Sequence, residues 1–377
     1  MTASVCSLSS ILAQVPDPRR PQGRQHPWGA LLLLIVVGLL SGANSQRALA
    51  RWGQQLPWPW LRALGFTRAG GPSQSTLHRV LRDVEVAPLE TLLGTWLQQV
   101  RAALRHGAAR WLDGIAVDGK TLRGARRLGA ADTHLVSACC QRWTLVLSEV
   151  AVADASHELA ALEPLLGGLP LSGETVTVDA HFTQYWVATQ IVQHGGAYLM
   201  VVKGNQPTLR ADIQRATSWP ARYLGEVRTR RLAHGRIETR ELTVADARAI
   251  AWPFAHQVLR LAQRMIHKRT GQVLSAETRY AVTSLSPEQA SPRDLLRLWQ
   301  THWGIENPLH WVRDVVFGED RATTRTGHAP HALAVFRNLA IGLLHRWRHP
   351  AITAARAYFA THPAALFRCL ALAPPDS

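Results

Sequence analysis

Apolar positions in residues 1–105 recur with a helical period, in short segments that Pro and Gly residues separate. The run 30–40 is the most apolar of these segments, with eleven residues. A helix needs roughly 20 apolar residues to cross a bilayer, so this run predicts a buried core helix. We therefore predict that residues 1–105 form an all-helical N-terminal domain, which either binds DNA or is an associated domain of the core that follows.

One helix of this domain has its basic residues on one side. It begins after the N-cap Ser73, and its apolar residues recur at i, i+3, i+4 and i+7 from Leu77, which leaves Arg79 and Arg82 on the outer face. Such a helix fits the recognition helix of a helix-turn-helix-like unit. It fits an ordinary amphipathic helix with solvated arginines equally well. Under the first interpretation, Arg79 and Arg82 contact DNA.

Beyond residue 111 the pattern changes to short β-rich runs with helical segments between them. Three strands come first, followed by a helix, a strand, a second helix and another strand. This is the element order of a ribonuclease H-like core, so the predicted fold class is α/β. The predicted strands cover residues 115–118, 133–138, 144–152, 175–179 and 197–203, and the predicted helices begin near residues 156 and 183.

Residues 208–285 interrupt this core. Charged and apolar residues alternate there as they do in solvated strands, so we predict a β-rich insertion. The chain then returns to the core through a helix capped by Ser291, with Pro292 at its first position. The predicted domains are residues 1–105 (N-terminal domain), 106–207 (first part of the core), 208–285 (insertion), 286–347 (second part of the core) and 348–377 (C-terminal helical tail).

Three acidic residues occupy informative positions in these elements. Asp118 and Asp179 each end a core strand, and the ends of neighbouring strands lie side by side. Glu306 is predicted to share the inward face of the last core helix with Trp299 and His302, because the three follow the spacing i, i+3 and i+7. Taken singly, a strand-end aspartate is more often a turn former, and a glutamate near arginines is more often a salt-bridge partner.

Taken together, the three acids predict a metal site. Three carboxylates around one point repel one another unless divalent cations neutralise them. Hard oxygen ligands suit Mg²⁺ or Mn²⁺, and two such ions catalyse in-line displacement at phosphorus. The acids therefore predict a two-ion site for phosphoryl transfer.

The charge of the chain indicates the substrate of such a site. Lys and Arg number 42 against 26 for Asp and Glu, so the formal net charge is +16. This excess favours a nucleic-acid or anionic-membrane partner, and its spread as Arg-rich patches on globular sequence favours a folded DNA-binding surface. The predicted substrate is a DNA phosphodiester.

The cysteines indicate the compartment. The chain has four, with no Cys-x-x-Cys spacing. They are interpreted as reduced thiols of a cytosolic protein, and they predict no zinc site.

Several motifs in this order resemble those of the DDE transposases of bacterial insertion sequences, in particular the branch that includes the H-repeat-associated proteins. The resemblance covers about residues 8–345. The catalytic part carries Ile115-Ala-Val-Asp-Gly-Lys-Thr-Leu-Arg-Gly124, Thr177-Val-Asp-Ala-His181, Tyr198-Leu-Met-Val-Val-Lys-Gly-Asn-Gln206, His234-Gly-Arg-Ile-Glu238, His302-Trp-Gly-Ile-Glu-Asn-Pro-Leu-His-Trp311 and Phe317-Gly-Glu-Asp320. The N-terminal part carries Val15-Pro-Asp-Pro-Arg19, Leu40-Ser-Gly-Ala43 and Pro72-Ser-Gln-Ser-Thr76.

The resemblance implies a ribonuclease H-like enzyme that cuts the ends of an insertion sequence and joins them to target DNA. Asp118, Asp179 and Glu306 match the family's metal-binding triad, which implies two ions of Mg²⁺ or Mn²⁺. The implied partners are double-stranded DNA at the element ends and the target, and a second copy of the chain in a synaptic homodimer. No membrane partner is implied, and the expected location is the bacterial cytoplasm, at the nucleoid when DNA is bound.

Related transposases carry the pattern Tyr-x2-Arg-x3-Glu-x6-Lys around the catalytic glutamate. Its places are held here by Trp299, His302, Glu306 and Arg313. His302 and Arg313 keep a cationic character, so the resemblance implies contacts with phosphate. Pro308 departs from the pattern and predicts a kink two residues after the glutamate, because proline has no amide hydrogen to donate.

Further basic residues are expected on DNA. Lys203 at a strand end predicts a phosphate contact, with a solvated lysine as the alternative. Trp303 and Trp311 are expected to pack in the core, with stacking on a distorted base as the alternative. The expected DNA-contacting residues are Lys120, Arg123, Lys203, His302 and Arg313, together with Arg79 and Arg82 of the N-terminal domain.

Two other functions fit the same residues. A structure-specific nuclease on this fold would cut DNA without joining strands. A catalytically silent transposase-derived protein would bind DNA without binding metal. Strand transfer distinguishes the transposase from the first, and metal binding distinguishes it from the second.

Overall fold

The computed structural model describes residues 6–106, 112–122, 134–233, 235–303, 305–347, 349 and 351–372. The chain forms two compact units. The first unit comprises Met1–Ala109, Gly119–Ala161 and Ile305–Ser377, and the second comprises Arg110–Asp118 and Leu162–Gly304.

Helices precede the first strands of the sheet, and strands and helices then alternate. The helices α1 (Leu8–Leu12), α2 (Trp28–Leu40), α3 (Gln46–Gln55), α4 (Trp58–Ala63), α5 (Gln74–Asp83) and α6 (Val86–His106) precede β1 (Gly114–Thr121), β2 (His134–Cys140) and β3 (Leu145–Val152). Then come α7 (Glu158–Gly167), β4 (Thr175–Val178), α8 (Tyr185–Gln193), β5 (Ala197–Val202) and α9 (Pro207–Ser218). The chain continues with β6 (Tyr223–Ala233), β7 (Arg236–Asp246), β8 (Gln257–His267), β9 (Val273–Thr283), α10 (Pro292–His302), the π-helix Glu306–Val316, α11 (Ala329–Arg346), α12 (Ile352–Thr361) and α13 (Pro363–Cys369).

The second unit is built on a mixed sheet. Its strand order is β1-β4-β5-β9-β8-β7-β6. β1, β4 and β5 pair in parallel, and β9, β8, β7 and β6 follow as an antiparallel meander. All four residues of β4 are buried, as expected for a parallel strand that is covered on both faces.

Helix α10 covers part of this sheet. Its N-terminus has a capping box, in which Ser291 and Asp294 each accept a hydrogen bond from the other's backbone amide. Its Leu295 and Trp299 are fully buried among apolar residues from β5, β7, β8 and β9. The predicted N-cap and the predicted apolar face of this helix are therefore confirmed.

The first unit is mainly helical. Helix α2 is buried along nearly its whole length and packs against α11, α1 and α3. β2 and β3 form an antiparallel hairpin, which α6 and α11 cover. In α5, the predicted N-cap Ser73 accepts a hydrogen bond from the Thr76 amide, and Arg79 and Arg82 are exposed as predicted.

The predicted fold class is confirmed. A helical region precedes an α/β core with the predicted ribonuclease H-like order of strands and helices, and an antiparallel β-rich segment follows β5. No helix in the described ranges is long and apolar enough to cross a membrane. The domain boundaries drawn from the sequence stay predictions, and Arg123 lies outside the described residues.

Helix α6 lies so close to β3 that one glycine is required between them. A Cβ atom added at Gly94 would lie 2.6 Å from the backbone oxygen of Leu147. We expect Gly94→Ala to lower the free energy of unfolding by about 1–3 kcal/mol, because the overpacking outweighs the gain in helix propensity. Chemical denaturation of the full-length protein would measure this loss of stability. Thr95→Ala on the exposed side of the same helix is the control and should leave the midpoint unchanged or raise it.

Candidate active site

Two of the three predicted acids are neighbours in the sheet of the second unit. β1 and β4 run parallel with Val117 opposite Val178, so the next residues in this register are Asp118 and Asp179. Asp179 follows the last residue of β4 as predicted, whereas Asp118 does not end its strand, because β1 continues to Thr121. Both carboxylates are partly exposed, whereas the valines before them are buried. The sheet therefore brings two carboxylates to the same edge, and the apolar strands behind them fix that position.

The loop that follows Asp179 is tied down by hydrogen bonds. The amide of Phe182 donates to Oδ1 of Asp179 at 3.2 Å. The hydroxyl of Thr183 lies 2.9 Å from the Asp179 backbone oxygen and 2.7 Å from that of Val201 in β5. These bonds orient the aspartate from its own loop and anchor that loop to the neighbouring strand.

A second set of bonds comes from the segment after β5. The side-chain amide of Asn205 donates to the Ala180 backbone oxygen at 2.6 Å, and that of Gln206 donates to the Thr183 backbone oxygen at 3.1 Å. These two residues end the motif Tyr198–Gln206, and the sequence alone predicts no function for them. Their structural function is to hold the loop of Asp179. Lys203, at the start of the same segment, is exposed, so its phosphate contact stays a prediction.

His302 does not face solvent. It is 4% exposed, and its Nδ1 lies 2.8 Å from the hydroxyl of Thr177 in β4. Burial lowers the pKa of His302 to about 4, although the Asp179 carboxylate opposes this shift. The prediction that His302 contacts DNA phosphate is therefore wrong for this structure. The histidine is a neutral buried residue that joins α10 to β4.

Glu306 is not on the inward face of a continuous helix. α10 ends at His302, and Glu306 is the exposed first residue of the separate π-helix, in the first unit. Pro308 lies in the first turn of that π-helix and has no amide to donate, and the His310 amide bonds to the Ile305 oxygen five residues back. The helix is interrupted before Glu306, between α10 and the π-helix, so the face of α10 cannot be extrapolated to Glu306. The predicted kink at Pro308, two residues after Glu306, stays a prediction.

Arg313 is the centre of a buried ionic network in the first unit. It is 0% exposed, and its guanidinium lies 2.8 Å from Glu319 and 3.8 Å from Glu149. Arg337 approaches the same Glu319 carboxylate at 3.0 Å, and Asn338 accepts a hydrogen bond from Arg313 at 3.2 Å. A fully buried, paired guanidinium has no access to phosphate, so the prediction that Arg313 contacts DNA is wrong.

Lys120 is also engaged internally. Its Nζ lies 2.7 Å from Asp314, and its side chain is 8% exposed. This ion pair ties the end of β1 to the π-helix that begins at Glu306. The expected DNA contact of Lys120 is therefore blocked while this pair is formed.

Two tryptophans close to Glu306 in sequence differ in their exposure to solvent. Trp303 is partly buried, and the Arg279 guanidinium lies 4.5 Å from its ring centroid. Trp311, by contrast, is 55% exposed on the π-helix, so the expectation that it packs in the core is wrong. An exposed indole on this helix keeps the alternative of base stacking open.

The low pKa of His302 predicts how stability depends on pH. The pKa in the folded state, about 4, lies below the ordinary value of 6.5, so the unfolded chain takes up a proton in this range before the folded chain does. We expect the free energy of unfolding to fall by about 3 kcal/mol between pH 6.5 and 4 from this group, with no contribution above pH 6.5. Denaturation midpoints across this range would measure it. In His302→Gln, the free energy of unfolding should depend less on pH in this range. An equal pH dependence in both proteins would contradict the proposal that His302 causes the loss of stability.

Removal of Arg313 should destabilise the first unit. Arg313→Met leaves the buried carboxylates of Glu319 and Glu149 short of a cation, which typically costs about 3–5 kcal/mol. Thermal or chemical denaturation would show the loss. The exposed Arg321 provides the control, since Arg321→Met should change stability by less than about 0.5 kcal/mol. A stable Arg313→Met protein with weakened DNA binding would instead restore the phosphate contact predicted from the sequence.

Comparison with known proteins agrees with the resemblance seen in the motifs. The family described as "Transposase DDE domain" matches residues 112–343, more than half of the chain, and the family "DDE_Tnp_1-associated" matches residues 9–97. "Putative transposase YncI" of Escherichia coli O157:H7 is 28% identical over 90% of this chain and 88% of its own length. "H repeat-associated putative transposase YhhI" of Escherichia coli K12 is 28% identical over 89% of this chain and 90% of its own length. The predicted similarity to the H-repeat-associated branch is confirmed, and the chain belongs to the DDE transposase family.

Proposed function

We propose that this chain is a DNA transposase that cuts the ends of an insertion sequence and joins them to target DNA. The observation that carries the proposal is the parallel register of β1 and β4, which sets Asp118 and Asp179 side by side in a member of the DDE transposase family. Glu306, exposed at the start of the π-helix, supplies the third carboxylate of the proposed triad.

The donor set fits the metal ions that the family implies. Asp118, Asp179 and Glu306 offer carboxylate oxygens, which are the ligands that Mg²⁺ and Mn²⁺ prefer. We propose that these residues hold two such ions. When bound, the ions would supply an activated water or 3′-hydroxyl and would stabilise the charge on the leaving oxygen.

The protein's own contribution is to hold the carboxylates in place. Asp118 and Asp179 extend from buried strands, and the loop after Asp179 is fastened by Thr183 and Asn205. Within the first unit, the pair of Lys120 with Asp314 holds the helix that Glu306 begins. Carboxylates fixed in this way lose little freedom when they bind ions, which favours reaction.

The proposed substrate is double-stranded DNA, both at the element ends and at the target. The net charge of +16 supports this substrate, as do the exposed Lys203, Arg79 and Arg82. Trp311 is exposed on the π-helix that Glu306 begins, and we propose that it stacks on a base that leaves the duplex near the cut. Joining two ends calls for two active sites, so we propose a homodimer as the active form.

The triad can be tested by replacing each acid with its neutral amide. We expect Asp118→Asn, Asp179→Asn and Glu306→Gln each to reduce Mg²⁺- or Mn²⁺-dependent cleavage of a labelled duplex carrying the element end by at least about 10³-fold, because each removes a metal ligand. DNA binding measured by mobility shift should be retained. Glu288→Gln, in an exposed loop, is the matched control and should cut like the wild type.

The outcomes separate the three candidate functions. Cleavage followed by joining to target DNA supports a transposase, and cleavage without joining supports a nuclease. A wild-type protein that binds the element end but never cuts it, with either ion, would support the catalytically silent alternative.

A further inference from the structure

Three potential metal ligands meet inside the first unit, on elements that the proposed triad does not use. They are Glu90 of α6, Glu149 of β3 and His331 of α11, and one ligand atom from each lies within 4.8 Å of the others. Nε2 of His331 is 2.7 Å from a carboxylate oxygen of Glu90. The three residues are therefore already gathered around one point, although they are far apart in sequence.

Glu149 has an oxygen without a partner at this point. Its Oε2 accepts hydrogen bonds from Asn338 at 3.0 Å and from the Ser137 hydroxyl. Its Oε1 is fully buried and has no hydrogen-bond donor among the residues that the structure describes, and the Glu149 side chain as a whole is only 3% exposed. An unpaired buried carboxylate oxygen costs about 1–3 kcal/mol or more, so a bound group that satisfies it would be favoured.

A small cavity provides room for that group. It has a volume of about 30 Å³, and Glu90, Glu149 and Asn338 line its polar side. The remaining wall is apolar and includes Leu93, Leu97 and Val335. A space of this size holds a water molecule beside Glu90 and Glu149. His331 does not line the cavity and reaches it only through its contact with Glu90.

The contacts around this point leave one carboxylate oxygen for a cation. Nε2 of His331 lies 2.7 Å from Glu90, and the Arg313 guanidinium lies 3.8 Å from Oε2 of Glu149. Oε1 of Glu149 has neither an ion-pair partner nor a hydrogen-bond donor among the described residues. A metal ion bound here would replace the contact between His331 and Glu90 and would also satisfy this oxygen.

We propose that Glu90, Glu149 and His331 bind one Zn²⁺ ion, at a site distinct from the carboxylate triad and independent of the proposed function. One imidazole nitrogen and two carboxylate oxygens suit Zn²⁺, whereas Mg²⁺ prefers oxygen ligands alone. Four ligands bound to zinc at ordinary bond lengths lie roughly 3.3 Å apart. His331 and Glu90, now 2.7 Å apart, would therefore have to separate to admit the ion, and the ligand atom of Glu149, within 4.8 Å of both, would approach it. Water in the cavity provides the fourth ligand. The bound ion links α6, β3 and α11.

The proposed zinc site is independent of the cysteines. Cysteine spacing predicts no zinc site, and this one contains no cysteine. Its ligands come from three elements that are brought together only by the packing of the first unit. Sequence spacing therefore gives no signal for it.

The test measures zinc binding by the full-length chain with the triad removed. In the background Asp118→Asn, Asp179→Asn and Glu306→Gln, with excess Mg²⁺ present, we expect equilibrium dialysis to find one tightly bound Zn²⁺ per chain. Adding His331→Gln or Glu149→Gln should weaken this binding by on the order of 100-fold or more, since loss of an outer hydrogen bond to a metal ligand alone costs 10–100-fold. The exposed His328, which caps the same helix, is the control, and His328→Gln should bind like the parent.

Two further measurements keep the test valid if a variant is less stable. Circular dichroism should show each variant folded, and Zn²⁺ should raise the melting midpoint of the parent and of the His328→Gln protein but not of the His331→Gln protein. Co²⁺ in place of Zn²⁺ should give visible absorption bands that disappear with His331→Gln. Unchanged zinc stoichiometry in the His331→Gln protein, or no zinc binding by the parent because the cavity holds only water, would overturn the proposal.

Discussion

The parallel pairing of β1 with β4 is the constraint on which the candidate active site depends. Two like charges on adjacent strands repel each other, and nothing in their own interaction holds them together. Val117 and Val178, directly before them, are almost completely buried. Both faces of β4 are covered, and a shift of one residue would exchange the side chains of Val176 and Val178 with those of Thr175 and Thr177 between the two faces, so the packing on each face fixes the register. The positions of Asp118 and Asp179 are therefore a consequence of hydrophobic packing.

The buried arginines bind partners inside the protein and are not available to DNA. Arg313 and Arg337 share the Glu319 carboxylate, while Arg356 donates to the backbone oxygens of Leu39 and Val316. These arginines hold together segments that are distant in the chain, because a buried guanidinium must find partners for its donors. The net charge of +16 counts them with the surface residues, so it overstates the charge that is free to meet DNA.

What could be predicted from the sequence is what local chemistry determines. The N-caps Ser73 and Ser291, the end of β4 next to Asp179 and the order of the core elements depend on nearby residues and were predicted correctly. The predicted strand end at Asp118 was wrong, because β1 continues to Thr121. The contact between His302 and Thr177 joins residues 125 positions apart, and spacing along a chain cannot reveal it. The same holds for Arg313, since an arginine that pairs with a buried glutamate and one that binds phosphate look identical in sequence.

The residues that differ from the family pattern around Glu306 are buried in the structure. Trp299 and His302 are buried in the second unit, and Arg313 is buried in the first. Of the four places in the pattern, only that of Glu306 is exposed to solvent. Substitutions at the other three places therefore act first on packing and on internal ion pairs. The indole of Trp299 fills an apolar core, and the imidazole of His302 remains neutral beside Thr177. An unusual residue at such a place argues for a repacked interior, and it does not argue against the chemistry of the acid.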